Sequence, residues 1–145
     1  MEKSAQPIEI LIVEDNPGDA RLAVEALTEG KIANKISIVE DGVEAISFLR
    51  RENGYSDAPR PDLILLDLNL PKMNGKDVLA IIKKDLELKR IPVVILTTSD
   101  ADQDIFATYE LHANCYITKP VDFDQFINVI QSVENFWLSV VILPK

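Results

Sequence analysis

The sequence predicts an α/β fold, a doubly wound five-stranded parallel sheet flanked by five helices. Five short apolar segments alternate along the chain with amphipathic stretches of helical length, an alternation typical of a parallel sheet with helices on both faces. Two of the segments, LILL at residues 63–66 and IPVVIL at 91–96, are nearly unbroken apolar runs, as expected for strands covered on both sides. The length of 145 residues suits a single domain.

Each predicted strand is a short apolar segment bounded by turn residues. The five strands are expected at residues 8–13, 35–39, 63–66, 91–96 and 115–117. Right-handed crossover connections make such strands parallel. For five of them we expect the flavodoxin-like strand order 2-1-3-4-5.

Residue types that favour helix starts precede several of the predicted helices. Asn16 and Pro17 suit an N-cap and a first helical position, and Ser99 with Asp102 resembles a capping box. Residues 71–75 are expected to form a turn before the third helix. The five helices are predicted from Pro17 to Gly30, from Asp41 to Gly54, around residues 78–82, from Ser99 to Leu111 and from Asp122 to about Leu138.

The composition argues against several classes of protein. The chain has 24 acidic and 15 basic residues and a net charge of −9, so we expect no direct binding to nucleic acid. Cys115 is the only cysteine and His112 the only histidine, which excludes an internal disulfide and a Cys/His metal cluster. We see neither a signal peptide nor a run long enough to cross a membrane, so we expect a cytoplasmic protein with no membrane association.

Polar residues follow four of the predicted strands. They are Glu14 and Asp15 after strand 1, Asp67 after strand 3, Thr97 to Ser99 after strand 4, and Thr118 and Lys119 after strand 5. Ligands of such sheets bind beyond the carboxyl ends of the strands, at the switch point between strands 1 and 3. Three carboxylates that meet there repel one another, and a hard divalent cation such as Mg²⁺ offsets that repulsion. Each acid taken alone fits a helix cap or a solvated turn, so the combined placement is what favours a metal site.

The same segments resemble the receiver domain of two-component response regulators. VEDN, LLDLNLPKMNG, VVILTTS and YITKP occur in the order of that family, and the resemblance covers nearly the whole chain. It implies that Asp67 accepts a phosphoryl group from the histidine of a sensor kinase. It also implies that Asp15, Asp67 and the backbone carbonyl of Asn69 bind Mg²⁺, while Glu14 acts through a metal-bound water.

The resemblance assigns further roles around the phosphoacceptor. Lys119 contacts the phosphoryl oxygens, Thr97 hydrogen-bonds the phosphate in the active form, and Tyr116 changes rotamer during the switch. Asn69, Thr98 and Ser99 flank the site and are expected to tune the lifetime of the phosphate. The added charge of about two units is then expected to shift the population of conformations on the face formed by helix 4, strand 5 and helix 5.

The C-terminal residues 136–145 form an apolar extension of the single domain 1–145. Trp137 belongs to the expected core stripe of the last helix, and Val129, Phe136 and Val140 widen its apolar arc beyond what a monomeric surface helix needs. We assign Phe136, Trp137 and Val140 to the contact that the extension makes. The extension either folds over its own domain or forms a homodimer contact, and we favour the dimer. RPDLILLDLNLPK, LKRIPVV, YELHANCYITK and ENFWLSVVILP resemble the small response regulators that partner cyanobacterial phytochromes, which implies a dimer and a phytochrome-like or other sensory histidine kinase as partner.

Three other classes of protein compete with this interpretation. A haloacid-dehalogenase-type phosphatase needs a second Asp two residues after its nucleophile, where this chain has Asn69. A flavodoxin-like FMN carrier needs a phosphate-binding loop after strand 1, where EDNPGD is acidic. A receiver that binds partners without phosphorylation does not need the full acid set. We therefore expect a phosphoacceptor that signals by protein contact or phosphorelay. Beyond its own phosphorylation and slow autodephosphorylation, we expect no enzymatic activity.

Overall fold

The computed structural model describes residues 7–28, 34–97 and 115–118. These residues contain a parallel sheet with the strand order β2-β1-β3-β4-β5. Its strands are β1 (Ile8–Val13), β2 (Asn34–Val39), β3 (Leu63–Asp67), β4 (Val93–Thr97) and β5 (Cys115–Thr118). The helices are α1 (Pro17–Thr28), α2 (Gly42–Arg50), α3 (Gly75–Lys84) and a short 3₁₀ helix, Leu88–Arg90.

The predicted flavodoxin-like parallel sheet with strand order 2-1-3-4 is confirmed, and β5 pairs in parallel with β4. The predicted helices at 99–111 and 122–138 lie outside the described residues, so the complement of five helices stays a prediction. Among the residues that the structure does describe, no helix is both long enough and apolar enough to span a membrane.

Along the central strands, side chains alternate between two separate hydrophobic cores, one on each face of the sheet. The side chains of β3 are all buried, because helices cover both of its faces. One face packs against α2 and α3 through Leu11, Val13, Ile64, Leu66, Ala45, Leu49, Val78, Leu79 and Ile82. The other face packs against α1 through Ile10, Ile12, Leu63, Leu65, Ala23 and Leu27. Each fully buried aliphatic side chain of this kind contributes roughly 1.5–3 kcal/mol.

The predicted end of the second helix at Gly54 is wrong. The helix ends at Arg50, because Arg51 adopts the left-handed conformation (φ 59°) and donates its amide to the carbonyl of Phe48. The amide of Glu52 donates to the carbonyl of Ser47 at 2.9 Å, which closes the last turn. Gly54 also has a positive φ, 95°, but it belongs to the following loop.

The loop between α2 and β3 folds back onto α2. The ring of Tyr55 packs against Phe48 with centroids 5.4 Å apart, and its hydroxyl donates to Glu44 at 3.3 Å. Burial, followed by the negative charge of Glu44, raises the pKa of Tyr55 above its usual value. Asn53 also anchors this loop, since its side-chain amide donates to the hydroxyl of Ser47 at 3.1 Å.

Other boundaries also differ slightly from the predicted ones, and several strands are one residue longer than predicted. The fourth strand begins at Val93 rather than Ile91, because the amide of Ile91 closes the 3₁₀ helix by donating to the carbonyl of Leu88 at 3.0 Å. Gly75, expected in a turn, is the first residue of α3, whose N-cap is Asn74.

Candidate functional site

The candidate site lies at the carboxyl ends of β1 and β3. Val13 in β1 is aligned with Leu66 in β3, so the residues that follow them, Glu14 and Asp67, occupy neighbouring positions. One carboxylate oxygen each from Glu14, Asp15 and Asp67 lies within 4.8 Å of the other two. The structure therefore brings together the three acids that the sequence places at these strand ends.

Two of these three acids are buried. Glu14 is 2% exposed and Asp67 is 3% exposed, whereas Asp15 is exposed. Burial of a carboxylate is unfavourable unless hydrogen bonds or a cation compensate it. The amide of Asn16 donates to Glu14 Oε2 at 3.2 Å, and the amide of Asn69 donates to Asp67 Oδ1 at 2.9 Å. These bonds hold both carboxylates in place at the sheet edge.

The donor set of this cluster suits a hard divalent cation. All three groups offer anionic oxygen, the ligand that Mg²⁺ and Mn²⁺ prefer. Exposed acidic clusters are common without an ion, but here two members are buried beside each other. A cation that binds there offsets the repulsion between them. The residues therefore fit a divalent metal.

The turn after β1 is held by its own residues. The amide of Glu14 donates to the carbonyl of Val39 at 3.0 Å. Asn16 caps α1, since its side-chain oxygen accepts from the amide of Asp19 at 3.0 Å. The cap that starts α1 thus also fixes the two residues before it, Glu14 and Asp15, above the sheet.

The β3–α3 loop, residues 68–74, is held by its surroundings. The amide of Leu68 donates to the carbonyl of Leu96, and the amide of Gly75 donates to the carbonyl of Leu68, both at 3.0 Å. A Cβ on Gly75 would overlap the carbonyl oxygen of Asp67 and lie 2.6 Å from the Cα of Leu68. Only glycine therefore allows α3 to begin against the backbone of Asp67.

A cleft of about 260 Å³ opens beside the acid cluster. It lies between the start of α1 and the end of β2, and Glu14 and Asp15 contribute to its lining together with Pro17 and Ile38. Ile38 is one of the exposed large apolar side chains of the described residues, with 47% of its surface accessible. The cleft is open to solvent at Asp15, which is exposed, beside the buried Glu14.

Other residues singled out from the sequence lie at the same edge or outside the described residues. Thr97 ends β4 and is aligned with Thr118 of β5, and Tyr116 is aligned with Ile95. Lys119 directly follows β5 in the chain but lies outside the described residues. Thr98, Ser99, His112, Phe136, Trp137 and Val140 also lie outside them.

Sequence reasoning missed residues that shape the β3–α3 loop. The sequence predicts only a helix start at Asp41, yet the carboxylate of Asp41 also pairs with Lys72 of this loop. Gly42 and Gly75 stand directly after the N-caps of α2 and α3. In the sequence, Asp41-Gly42 and Asn74-Gly75 each indicate a helix cap followed by glycine. The sequence does not indicate which segment of backbone each glycine contacts.

Comparison with known sequences identifies related proteins. The family model for the response regulator receiver domain matches residues 10–131. Response regulator Rcp1 of Synechocystis sp. is 48% identical over 143 residues, which cover 99% of this chain and 97% of that protein. Protein PilH of Pseudomonas aeruginosa is 32% identical over 124 residues, 86% of this chain and 95% of that protein.

Solved structures give a consistent picture. The crystal structure of the phosphorylated cyanobacterial phytochrome response regulator RcpA matches with a TM-score of 0.84 and 51% identity, covering 97% of this chain and 100% of that one. The Mn²⁺-bound form of response regulator Rcp1 matches with a TM-score of 0.83 and 49% identity, covering 96% of this chain and 100% of that one.

Proposed function

We propose that this chain accepts a phosphoryl group on Asp67 from a sensor histidine kinase. The chain belongs to the response regulator receiver family. The observation that carries the proposal is the acid cluster, in which Asp67 ends β3 and lies within 4.8 Å of Glu14 and Asp15. A relative with 51% identity has been solved in its phosphorylated form, which supports the same chemistry for this chain.

The reaction requires a divalent ion, which we propose to be Mg²⁺. Asp15, Asp67 and the backbone carbonyl of Asn69 would hold it, and Glu14 would act through a metal-bound water. The buried anionic oxygens support this assignment, as does the Mn²⁺-bound structure of the relative Rcp1. When bound, the ion neutralises charge on the oxygens of the transferring group.

The residues of the chain orient the reacting groups. A carboxylate oxygen of Asp67 attacks phosphorus in line; the P–N bond to the partner's histidine breaks as the P–O bond forms. The amide of Asn69 orients the nucleophile through its bond to Oδ1. Lys119 contacts the phosphoryl oxygens, Thr97 hydrogen-bonds the phosphate, and Tyr116 moves with the switch. Asn69, Thr98 and Ser99 set the lifetime of the product.

The proposed partners follow from the relatives. RcpA is a cyanobacterial phytochrome response regulator, so we assign a phytochrome-like sensor kinase as the phosphodonor of this chain.

The chain acts in the cytoplasm as one receiver domain, residues 1–145, with the full complement of five helices. It forms a homodimer through the extension 136–145, with Phe136, Trp137 and Val140 at the contact, and signals by protein contact or phosphorelay.

Phosphorylation by a small donor tests the central claim. The protein is incubated with Mg²⁺ and acetyl phosphate, and intact-mass spectrometry follows an adduct of one phosphate. We expect the adduct in the unmodified protein and its loss in Asp67→Asn. Asp57→Asn is the matched control, since Asp57 is an exposed acid in the loop between α2 and β3. Absence of an adduct in the unmodified protein, or its persistence in Asp67→Asn, contradicts the proposal.

The homodimer is tested separately by gel filtration with light scattering, with and without Mg²⁺ and beryllofluoride. We expect a dimer in at least one state and a monomer for Trp137→Asp. A monomeric unmodified protein in both states contradicts the dimer and leaves the phosphoacceptor role intact.

A further inference from the structure

The start of α2 packs against the middle of the β3–α3 loop. A Cβ on Gly42 would overlap the carbonyl oxygen of Met73 and lie 2.8 Å from its Cβ. The backbone of α2 therefore lies in direct contact with the loop. Gly75 makes the matching contact from the start of α3, against Asp67 and Leu68. The loop is thus held between two helix N-termini.

An ion pair joins the same two elements. Lys72 Nζ lies 3.6 Å from Asp41 Oδ2, and the Asp41 side chain is only 9% exposed. The other oxygen of Asp41 accepts from the amide of Glu44 at 2.7 Å and caps α2. One carboxylate therefore holds both the start of α2 and the loop that follows Asp67.

Lys72 occupies a backbone conformation that its residue type disfavours. Its φ is 69°, in the left-handed region that costs an L-residue free energy relative to glycine. Such a conformation persists where surrounding contacts determine it. The contacts that determine it are a local hydrogen bond from the amide of Met73 to the carbonyl of Pro71 at 2.7 Å, the ion pair with Asp41, and the packing of Met73 against Gly42.

We propose that Asp41, Gly42 and Lys72 are positioning residues for the metal site. They fix the β3–α3 loop and thereby the backbone carbonyl of Asn69, the metal ligand assigned to that loop. Mg²⁺ binds at about 2.0–2.1 Å and demands near-octahedral geometry, so a small displacement of this carbonyl weakens metal binding. The inference rests on the proposed function and adds three residues that do not touch the metal.

A titration with Mn²⁺, followed by electron paramagnetic resonance of the free ion, tests this directly in the full chain. Asp41→Asn keeps the cap, because Asn caps a helix as well as Asp, but removes the charge. Lys72→Met keeps the length of the side chain and removes its charge. A partly exposed ion pair changes an equilibrium by up to about fivefold, so we expect each variant to bind Mn²⁺ about two- to fivefold more weakly.

Whether Lys72→Met binds Mn²⁺ more weakly or more tightly distinguishes a positioning role from a long-range electrostatic effect. If charge alone matters, Asp41→Asn weakens Mn²⁺ binding and Lys72→Met strengthens it, because the ion is a cation. Positioning predicts weaker binding in both variants, no further loss in the double variant, and recovery in Lys72→Arg. Gly42→Ala forces the loop to move and is expected to weaken binding by at least about tenfold.

A matched control and a metal-free measurement complete the test. Arg60→Met removes the comparable ion pair between Arg60 and Glu87, at 3.3 Å, and is expected to leave Mn²⁺ affinity unchanged. Hydrogen exchange of the Gly75 amide, which donates to Leu68, is expected to be faster in Lys72→Met without metal.

The outcomes are distinguishable from failure of the proposed function. Unchanged Mn²⁺ affinity in Asp41→Asn and Lys72→Met, tighter binding in Lys72→Met, or an equal loss in Arg60→Met overturns the positioning role. Absence of Mn²⁺ binding to the unmodified protein overturns it as well. If the unmodified protein binds Mn²⁺ and the variants weaken it, but acetyl phosphate yields no adduct, the positioning role stands and the phosphoacceptor function fails.

Discussion

The two loops that carry the acids of the site are held in different ways. The turn of residues 14–16 after β1 is short, and the side chains of Glu14 and Asn16 accept hydrogen bonds from the amide of Asn16 and from the amide of Asp19 in the first turn of α1. The β3–α3 loop is longer and depends on the starts of two helices, through Gly42, Gly75 and the ion pair between Asp41 and Lys72. Both loops have local and tertiary bonds, but only the second is also packed against the starts of two helices.

Because the two loops are held differently, we expect substitutions at their supporting residues to destabilise the protein to different extents. A change in the first turn removes one or two hydrogen bonds, each worth about 1 kcal/mol. A side chain at Gly75, which packs against the second loop, forces atoms to overlap with the backbone of Asp67 itself.

The largest effect is expected for Gly75→Ala. The added methyl group meets the backbone of Asp67 and Leu68, and overpacking of this kind destabilises by about 3 kcal/mol. For a domain of this size that lowers Tm by roughly 10 °C, measured by circular dichroism. Gly18→Ala is the control in the first turn of α1, where the nearest atom among the described residues is Asn16 Oδ1, at 3.2 Å. Equal losses in the two variants contradict the contrast.

Metal binding is expected to stabilise both loops together. At a Mg²⁺ concentration 100 times its Kd, the free energy of unfolding rises by about 2.7 kcal/mol. Thermal unfolding with Mg²⁺ and with EDTA measures this gain, which Asp15→Asn should reduce strongly and Asp57→Asn should leave unchanged. A Tm independent of Mg²⁺ in the unmodified protein contradicts an ion shared by the two loops.

The caps of α1 and α3 offer a like-for-like comparison. Asn16 and Asn74 each accept from a backbone amide at 3.0 Å, that of Asp19 and that of Asp77. Asn16→Ala and Asn74→Ala are each expected to lower the free energy of unfolding by about 1 kcal/mol, measured in urea, while replacement by Asp preserves it. A much larger loss for Asn74→Ala would show that this cap also supports the tertiary contacts of its loop.

The smallest effect is expected at the other end of α3, away from both loops. Hydrogen bonds from the amides of Leu88 and Glu87 lower the pKa of Asp85 below its usual range. A lowered pKa stabilises the fold above the unfolded value of about 3.9, and that contribution is lost as the pH falls through the folded value. The urea midpoint of Asp85→Ala should therefore lie below that of the unmodified protein at pH 7, with a smaller difference near pH 3. A difference independent of pH contradicts this account.

Much of the fold could be predicted because its signals are local. The bounds of β1 and the cap-proline pair at the start of α1 agree with the structure, since apolar runs and caps depend on neighbouring residues. The end of α2 could not be read from Gly54, because the left-handed residue that ends the helix is Arg51, a residue type with no preference for that conformation.

The sequence by itself determined which acids meet, because strand order and parallel direction bring the ends of β1 and β3 to one edge of the sheet. Only the tertiary structure decided how the loop after Asp67 is held. The contacts of Gly42 with Met73 and of Asp41 with Lys72 join residues far apart in the chain. Such contacts depend on the distance between two backbones after folding, and neither hydrophobic periodicity nor a helix cap encodes that distance.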